Sequence, residues 1–145
     1  MEQDFYIQKI ASLSVKISDG RKKPNKAILL LSVIDLIRIG YIVNNRIPLD
    51  QTIEATFKKM WELYIDVKVP SVWTPFWHMK REPFWHFAPK HSMKEIESLA
   101  RPGETAPYGK MRRSIKYAYL DEDFYLLINK KSHRDAFIAE LLKYV

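Results

Sequence analysis

Apolar positions recur with helical spacing over most of this chain. Phe5, Ile7, Ile10, Leu13, Val15 and Ile17 form a loose helical stripe, and Gly20 in Asp19-Gly20 supplies its stop. Pro24 is placed to open a second helix, almost wholly apolar over residues 27–39 and closed by Gly40. A helix that is apolar all round belongs at the buried centre of a domain. Residues 41–47, with Asn44-Asn45 as the turn, read as a short hairpin or an extended excursion. Asp50 caps a third helix over residues 51–66, with Ile53, Phe57, Met60, Trp61 and Tyr64 on one face.

The pattern then changes. Pro75-Phe76-Trp77-His78 and Pro83-Phe84-Trp85-His86 repeat one tetrapeptide across Lys80-Arg81-Glu82, which predicts a strand, a tight turn and a second strand. Ser92 caps a short helix ending near Ala100, and residues 101–109 form a loop rich in proline and glycine. Helices are expected over residues 110–119, 121–128 and 132–144. The fold class expected is therefore α+β: one mainly helical domain over residues 1–145, with a small antiparallel β-hairpin or sheet. No linker, low-complexity segment or long-period repeat divides it.

Charge sharpens this picture. The chain carries 24 Lys and Arg against 17 Asp and Glu, net +7. Residues 68–116 hold 10 of the basic and only 4 of the acidic residues, together with Trp73, Trp77, Trp85 and three of the four histidines. Cations interleaved with flat rings in a loop-rich stretch suit nucleic acid, where charge meets phosphate and rings meet sugars or bases. The absence of cysteine removes thiol catalysis, disulfides and Cys-ligated zinc, and allows a reducing, cytoplasmic setting. The longest apolar run, residues 27–34, is far below the roughly 20 residues of a membrane span. The acidic N-terminus lacks an export signal, so no membrane partner is expected.

No phosphate-binding glycine loop, dinucleotide fingerprint, nucleophile elbow or His-Asn-His nuclease set is recognisable. Asp121-Glu122-Asp123 reads as the acidic first turn of a helix. No catalytic residue, metal ligand set or cofactor is predicted. What remains is a binding apparatus: Lys22, Lys23 and Lys26 around a helix start, Lys80 and Arg81 in a turn, and Lys110, Arg112, Arg113 and Lys116 after the 101–109 loop.

The segment Pro75-Phe76-Trp77-His78-Met79-Lys80-Arg81-Glu82-Pro83-Phe84-Trp85-His86-Phe87 resembles the sulfur-binding domains that precede HNH nuclease domains in McrA-like type IV restriction endonucleases. Lys23-Pro24-Asn25-Lys26-Ala27-Ile28-Leu29-Leu30-Leu31 is similar to the family's Pro-His-Lys-Pro followed by a leucine-rich helix, with Asn25 for the commoner His and Ala27 for the second Pro. Tyr117-Ala118-Tyr119-Leu120-Asp121-Glu122 is similar to its Tyr-Ala-x-Leu-Asp segment. The resemblance implies a non-catalytic reader of phosphorothioated double-stranded DNA in a restriction system. The chain is then a stand-alone reader, or a domain partnered with an HNH or other effector nuclease.

Family sulfur pockets combine an aromatic ring, a proline ring, a small residue and the aliphatic parts of basic or histidine side chains. By that resemblance the pocket is expected at Pro107, Tyr108, Gly109 and Lys110, with His78 beside Lys80 and Arg81 as a second wall. Lys80, Arg81 and Arg112 are the expected readers of base edges; Lys22, Lys23, Lys26, Arg113 and Lys116 are the expected phosphate contacts. Two other readings compete. One is a small metal-dependent nuclease using His78, His86 and Glu82; the other is a basic module for an acidic protein partner.

Overall fold

Eleven of the fourteen residues of helix α2 (Asn25–Arg38) are buried, so the apolar run does form the centre around which the other elements pack. The computed structural model describes residues 2–145. Helix α1 (Glu2–Ala11) precedes a two-stranded antiparallel ribbon, β1 (Ile17–Ser18) and β2 (Arg21–Lys22). Here the first expectation is corrected. The apolar stripe does not carry a helix to Ile17: Asp19 (φ 52°) and Gly20 (φ 74°) are both left-handed, the geometry of a two-residue hairpin turn rather than a helix stop.

Helix α3 (Gln51–Tyr64) begins as expected, with the Asp50 carboxylate accepting from the Ile53 N–H at 3.1 Å. It buries Ile53, Phe57 and Trp61 on one face. Asn44 and Asn45 do form a turn, and Ile47 bridges antiparallel to Ala118.

The repeated tetrapeptide adopts two conformations. Pro75–His78 lies in helix α4 (Trp73–His78), continued by a single 3-10 turn (Met79–Arg81), whereas Trp85 opens strand β3 (Trp85–Pro89). The expected strand at the first copy is thus a helix. Pro75 occupies the first turn, where no backbone N–H is needed, and Trp73, Phe76 and Trp77 fall on one buried face. At the second copy Pro83 holds the preceding Glu82 extended (φ −85°, ψ 136°), and the chain leaves the helix there.

Helix α5 (Met93–Glu97) is capped by the Ser92 hydroxyl, which accepts from the Glu95 N–H at 3.1 Å. Helix α6 (Tyr108–Ser114) then passes directly into strand β4 (Ile115–Leu120), which corrects the expected helix over 110–119. Ile115, Ala118 and Leu120 are buried, and β4 pairs antiparallel with β3 in the register Trp85↔Leu120, Phe87↔Ala118. Helices α7 (Glu122–Ile128) and α8 (Lys131–Leu141) close the domain against α1 and α2. Phe76 meets Trp85 edge-on at 5.3 Å, and Trp77 stacks with Phe87 at 5.8 Å. Aromatic pairs of this kind add about 0.5–1.5 kcal/mol each beyond their burial, and they fix α4 rigidly on β3. Among the described residues no helix is long and apolar enough to cross a membrane.

Candidate nucleic-acid interface

Two adjoining hollows open where α4, the β1–β2 ribbon and the loop after α5 meet. The first, about 260 Å³, is lined by Lys16, Lys23 and Arg81 and by the apolar surfaces of Val15, Pro75 and Thr105, with Asn25 and His78 completing the wall. The ribbon explains why two lysines share this hollow: the Lys23 N–H donates to the Lys16 carbonyl at 2.8 Å, so the two residues face each other across the strands. The side chains of Lys16, Lys23 and Arg81 have no hydrogen-bond or ion-pair partner among the described residues, leaving their charge available to an anion.

The floor is Lys26, held in a buried ion pair. Lys26 (6% exposed) donates to Glu82 (4% exposed) at 2.6 Å and to the Ser14 carbonyl at 2.6 Å. The same Glu82 oxygen accepts from the Ser14 N–H at 3.1 Å. This arrangement ties residue 14, the start of α2 and the end of the 3-10 turn into one unit. Lys26, expected to hold a phosphate, is thereby engaged in structure. Glu82 has the same fate, and it is extended toward Lys26 because Pro83 follows it.

His78 stands between the hollows. Its Nε2 lies 2.9 Å from the Thr105 hydroxyl, and its Nδ1 is buried without a partner. Burial, then the nearby charges of Arg81, Lys26, Lys80 and Lys16, hold its pKa below the ordinary imidazole value. The free protein therefore keeps His78 neutral at pH 7, a polarisable wall rather than a fourth cation.

The second hollow, about 280 Å³, shares His78, Arg81 and Gly103 with the first and adds Lys80, Arg101, Glu97 and Glu104. Its loop is held by a turn in which the Glu104 N–H donates to the Arg101 carbonyl at 3.0 Å. Gly103 there has φ 85°, a value side chains disfavour. The Trp77 indole N–H donates to the Glu104 carbonyl at 3.1 Å, anchoring the loop to α4. Lys80 lies over the Trp77 ring at 4.7 Å.

The other expected residues are placed elsewhere. Pro107, Tyr108 and Gly109 line neither hollow. Pro107 precedes α6, and the Tyr108 ring stacks on Trp73 at 4.2 Å while its hydroxyl donates to the Leu49 carbonyl at 2.9 Å. Arg112 covers that ring at 5.8 Å. Lys110 and Arg113 border a separate shallow depression with His91, Glu95 and Ser114. Lys22 reaches the Ala11 carbonyl at 3.4 Å and lies over Tyr144, and Lys116 is exposed on β4. The three residues named for a metal-dependent nuclease face three different partners: His78 faces Thr105, His86 faces Asp121 at 2.7 Å, and Glu82 faces Lys26.

Lys16, Pro75, Arg101 and Thr105 were not singled out from sequence. For Lys16 a signal existed: Asp19-Gly20, taken as a hairpin turn, pairs Lys16 with Lys23. For Arg101 and Thr105 there was none, because only packing brings their loop against α4.

No protein-family model matches the sequence, and no curated protein matches it. Solved structures do match the fold. The sulfur binding domain of ScoMcrA complexed with phosphorothioated DNA aligns with TM-score 0.70 at 18% identity, over 96% of this chain and 86% of that one. The sulfur binding and SRA domains of ScoMcrA, also complexed with phosphorothioated DNA, align with TM-score 0.71 and 18% identity over 96% of this chain, which spans only 42% of that structure. The type IV phosphorothioation-dependent restriction endonuclease ScoMcrA aligns with TM-score 0.64, this chain spanning 24% of it. At this level of identity the likeness defines architecture: the chain has the fold of a sulfur-binding domain.

Proposed function

We propose that this protein is a non-catalytic reader of phosphorothioated double-stranded DNA, with the modified phosphate seated in the hollow between the β1–β2 ribbon and α4. The observation that carries the reading is the pairing, in one recess, of three free cations with an apolar wall. Lys16, Lys23 and Arg81 suit the anionic oxygens, while the Pro75 ring, Val15 and the Thr105 methyl offer a niche poor in donors. Sulfur is larger and a weaker hydrogen-bond acceptor than oxygen, so it loses little in that niche. An oxygen placed there forfeits water at a cost of about 1–3 kcal/mol, a preference of roughly fivefold to 150-fold. The same fold in complexes of ScoMcrA with phosphorothioated DNA supports the reading.

Exposed Lys22, Lys116, Arg112 and Arg113 extend the basic surface for flanking phosphates, and an effector nuclease, in the same chain or separate, acts on what is bound. Such a reader works where the cell keeps its DNA, in the cytoplasm. The test is competition between a duplex with one backbone sulfur and its unmodified twin. Preference for the sulfur duplex is expected, with Lys23→Ala weakening both alike; equal affinity ends the sulfur reading and leaves DNA binding standing.

A further inference from the structure

Helix α4 covers one face of the β3–β4 sheet through Trp85 and Phe87. Side chains alternate along a strand, so His86, Tyr117 and Tyr119 stand on the opposite face. Residues 46–47 extend that face along the far edge of β4, where Ile47 and Ala118 exchange backbone hydrogen bonds at 2.7 and 2.9 Å. The rings form a row: His86 lies 5.1 Å from Tyr119, and Tyr119 lies 6.2 Å from Tyr117. The Arg46 guanidinium ends the row, 5.1 Å from the centre of the Tyr117 ring. Tyr119 and Arg46 are exposed and Tyr117 and His86 are half-buried, so the row is open to solvent. The two tyrosine hydroxyls and the guanidinium have no hydrogen-bond or ion-pair partner among the described residues.

Cross-strand pairing accounts for His86 and Tyr119, which are opposite in register. It does not account for Tyr117 with Arg46, because Tyr117 is opposite Ala88. Flat rings beside an unpaired cation suit a strand whose bases stack while its phosphate meets the charge. The carboxylates that follow β4 do not oppose this: Asp121 is held by the Tyr6 hydroxyl at 2.9 Å and by His86 at 2.7 Å, and Glu122 by the Asn45 amide at 3.3 Å. From this face we infer a second nucleic-acid site, a stacking platform for the unpaired bases of single-stranded DNA. A duplex does not fit it, because paired bases stack on one another and keep their faces closed. Tyr117 and Tyr119 carry the bases and Arg46 holds a phosphate. Pro75 and His78 belong to α4, on the other side of the sheet, so the platform and the phosphate recess act separately. The choice of DNA rests on the function proposed above; the stacking does not.

The experiment titrates the whole chain into a fluorescent oligothymidylate of about 12 nucleotides and into an abasic strand of equal length, at fixed salt. The thymine strand is expected to bind more tightly. Tyr117→Leu and Tyr119→Leu should each weaken it by about fivefold to 150-fold, whereas Tyr119→Phe, which keeps the ring, retains wild-type affinity. Arg46→Gln should weaken both strands and lower the salt slope. Duplex binding by Tyr119→Leu should equal that of the wild type, which shows in the same step that the variant is folded. Equal affinity of the wild type for the thymine and abasic strands overturns the inference, and so do folded leucine variants that bind like the wild type. Tighter binding of the matching RNA strand overturns the choice of DNA. If sulfur and unmodified duplexes bind alike while the thymine strand keeps its preference, the sulfur reading falls and this one stands; the reverse result leaves the sulfur reading and removes the platform.

Discussion

Lys26 provides the sharpest test, because two roles for it predict opposite results. As a phosphate contact it would contribute to DNA binding; as half of a buried pair it holds the recess together. Glu82→Gln removes the counter-charge from an ammonium that is 6% exposed, leaving it the Ser14 carbonyl and a neutral amide. Breaking a buried pair from one side costs about 3–5 kcal/mol, since the remaining charge is desolvated without compensation. Unfolding entropy for 145 residues is roughly 0.3 kcal/mol per degree, so the melting temperature should fall by about 10–16 °C. The double variant Lys26→Met/Glu82→Gln should recover most of this loss. It leaves no charge unpaired, and the new amide oxygen still accepts from the Ser14 N–H. Urea and thermal unfolding of wild type, both single variants and the double variant close the cycle, with a coupling of about 2 kcal/mol or more expected. Salt titration of duplex binding by the double variant should give the wild-type slope. A Glu82→Gln cost below about 1 kcal/mol, or a slope reduced by nearly one in the double variant, refutes the reasoning.

His78 should make both stability and binding depend on pH. Its folded-state pKa lies below the ordinary value of about 6.5, so the unfolded chain takes up the proton first and stability falls as pH drops through that value. A bound phosphate offsets the Arg81, Lys26, Lys80 and Lys16 charges that disfavour protonation, so duplex affinity should rise between pH 7.5 and 5.5; an identical profile for His78→Gln would count against this. Asn45 clamps β4 from both sides, donating to the Leu120 carbonyl at 2.7 Å and accepting from the Leu120 N–H at 2.9 Å. Asn45→Ala should cost about 2–4 kcal/mol in urea unfolding by orphaning two buried backbone groups. Tyr108→Phe should cost about 1 kcal/mol through the lost bond to Leu49 and leave sulfur selectivity unchanged; a changed selectivity places loop 107–110 in the pocket after all.

Local rules made some of this architecture readable in advance. The apolar run of α2 can be satisfied only by burial on all sides, and Asp50 and Ser92 cap their helices through bonds to residues three positions ahead. The basic middle of the chain, with His78 and Arg81 in it, was visible as composition, and so was the cationic run that holds Lys23. Which cations would be free was not. Lys23 and Lys26 are three residues apart and both line the recess, yet the Lys23 ammonium has no partner while that of Lys26 is consumed by Glu82, 56 residues away in sequence.

The repeated Pro-Phe-Trp-His shows where local reasoning stops. The two copies have the same propensities, so nothing inside the tetrapeptide distinguishes helix from strand. For the first copy the decision comes from Trp73, which completes a helical face buried with Phe76 and Trp77. For the second it comes from β4, whose Leu120 and Ala118 pair with Trp85 and Phe87. Burial and backbone pairing with distant residues outweigh intrinsic preference by several kcal/mol, and those partners exist only once the chain has closed on itself. The recess that would hold a modified phosphate is a product of that closure, assembled from residues 14–26, 74–81 and 103–105.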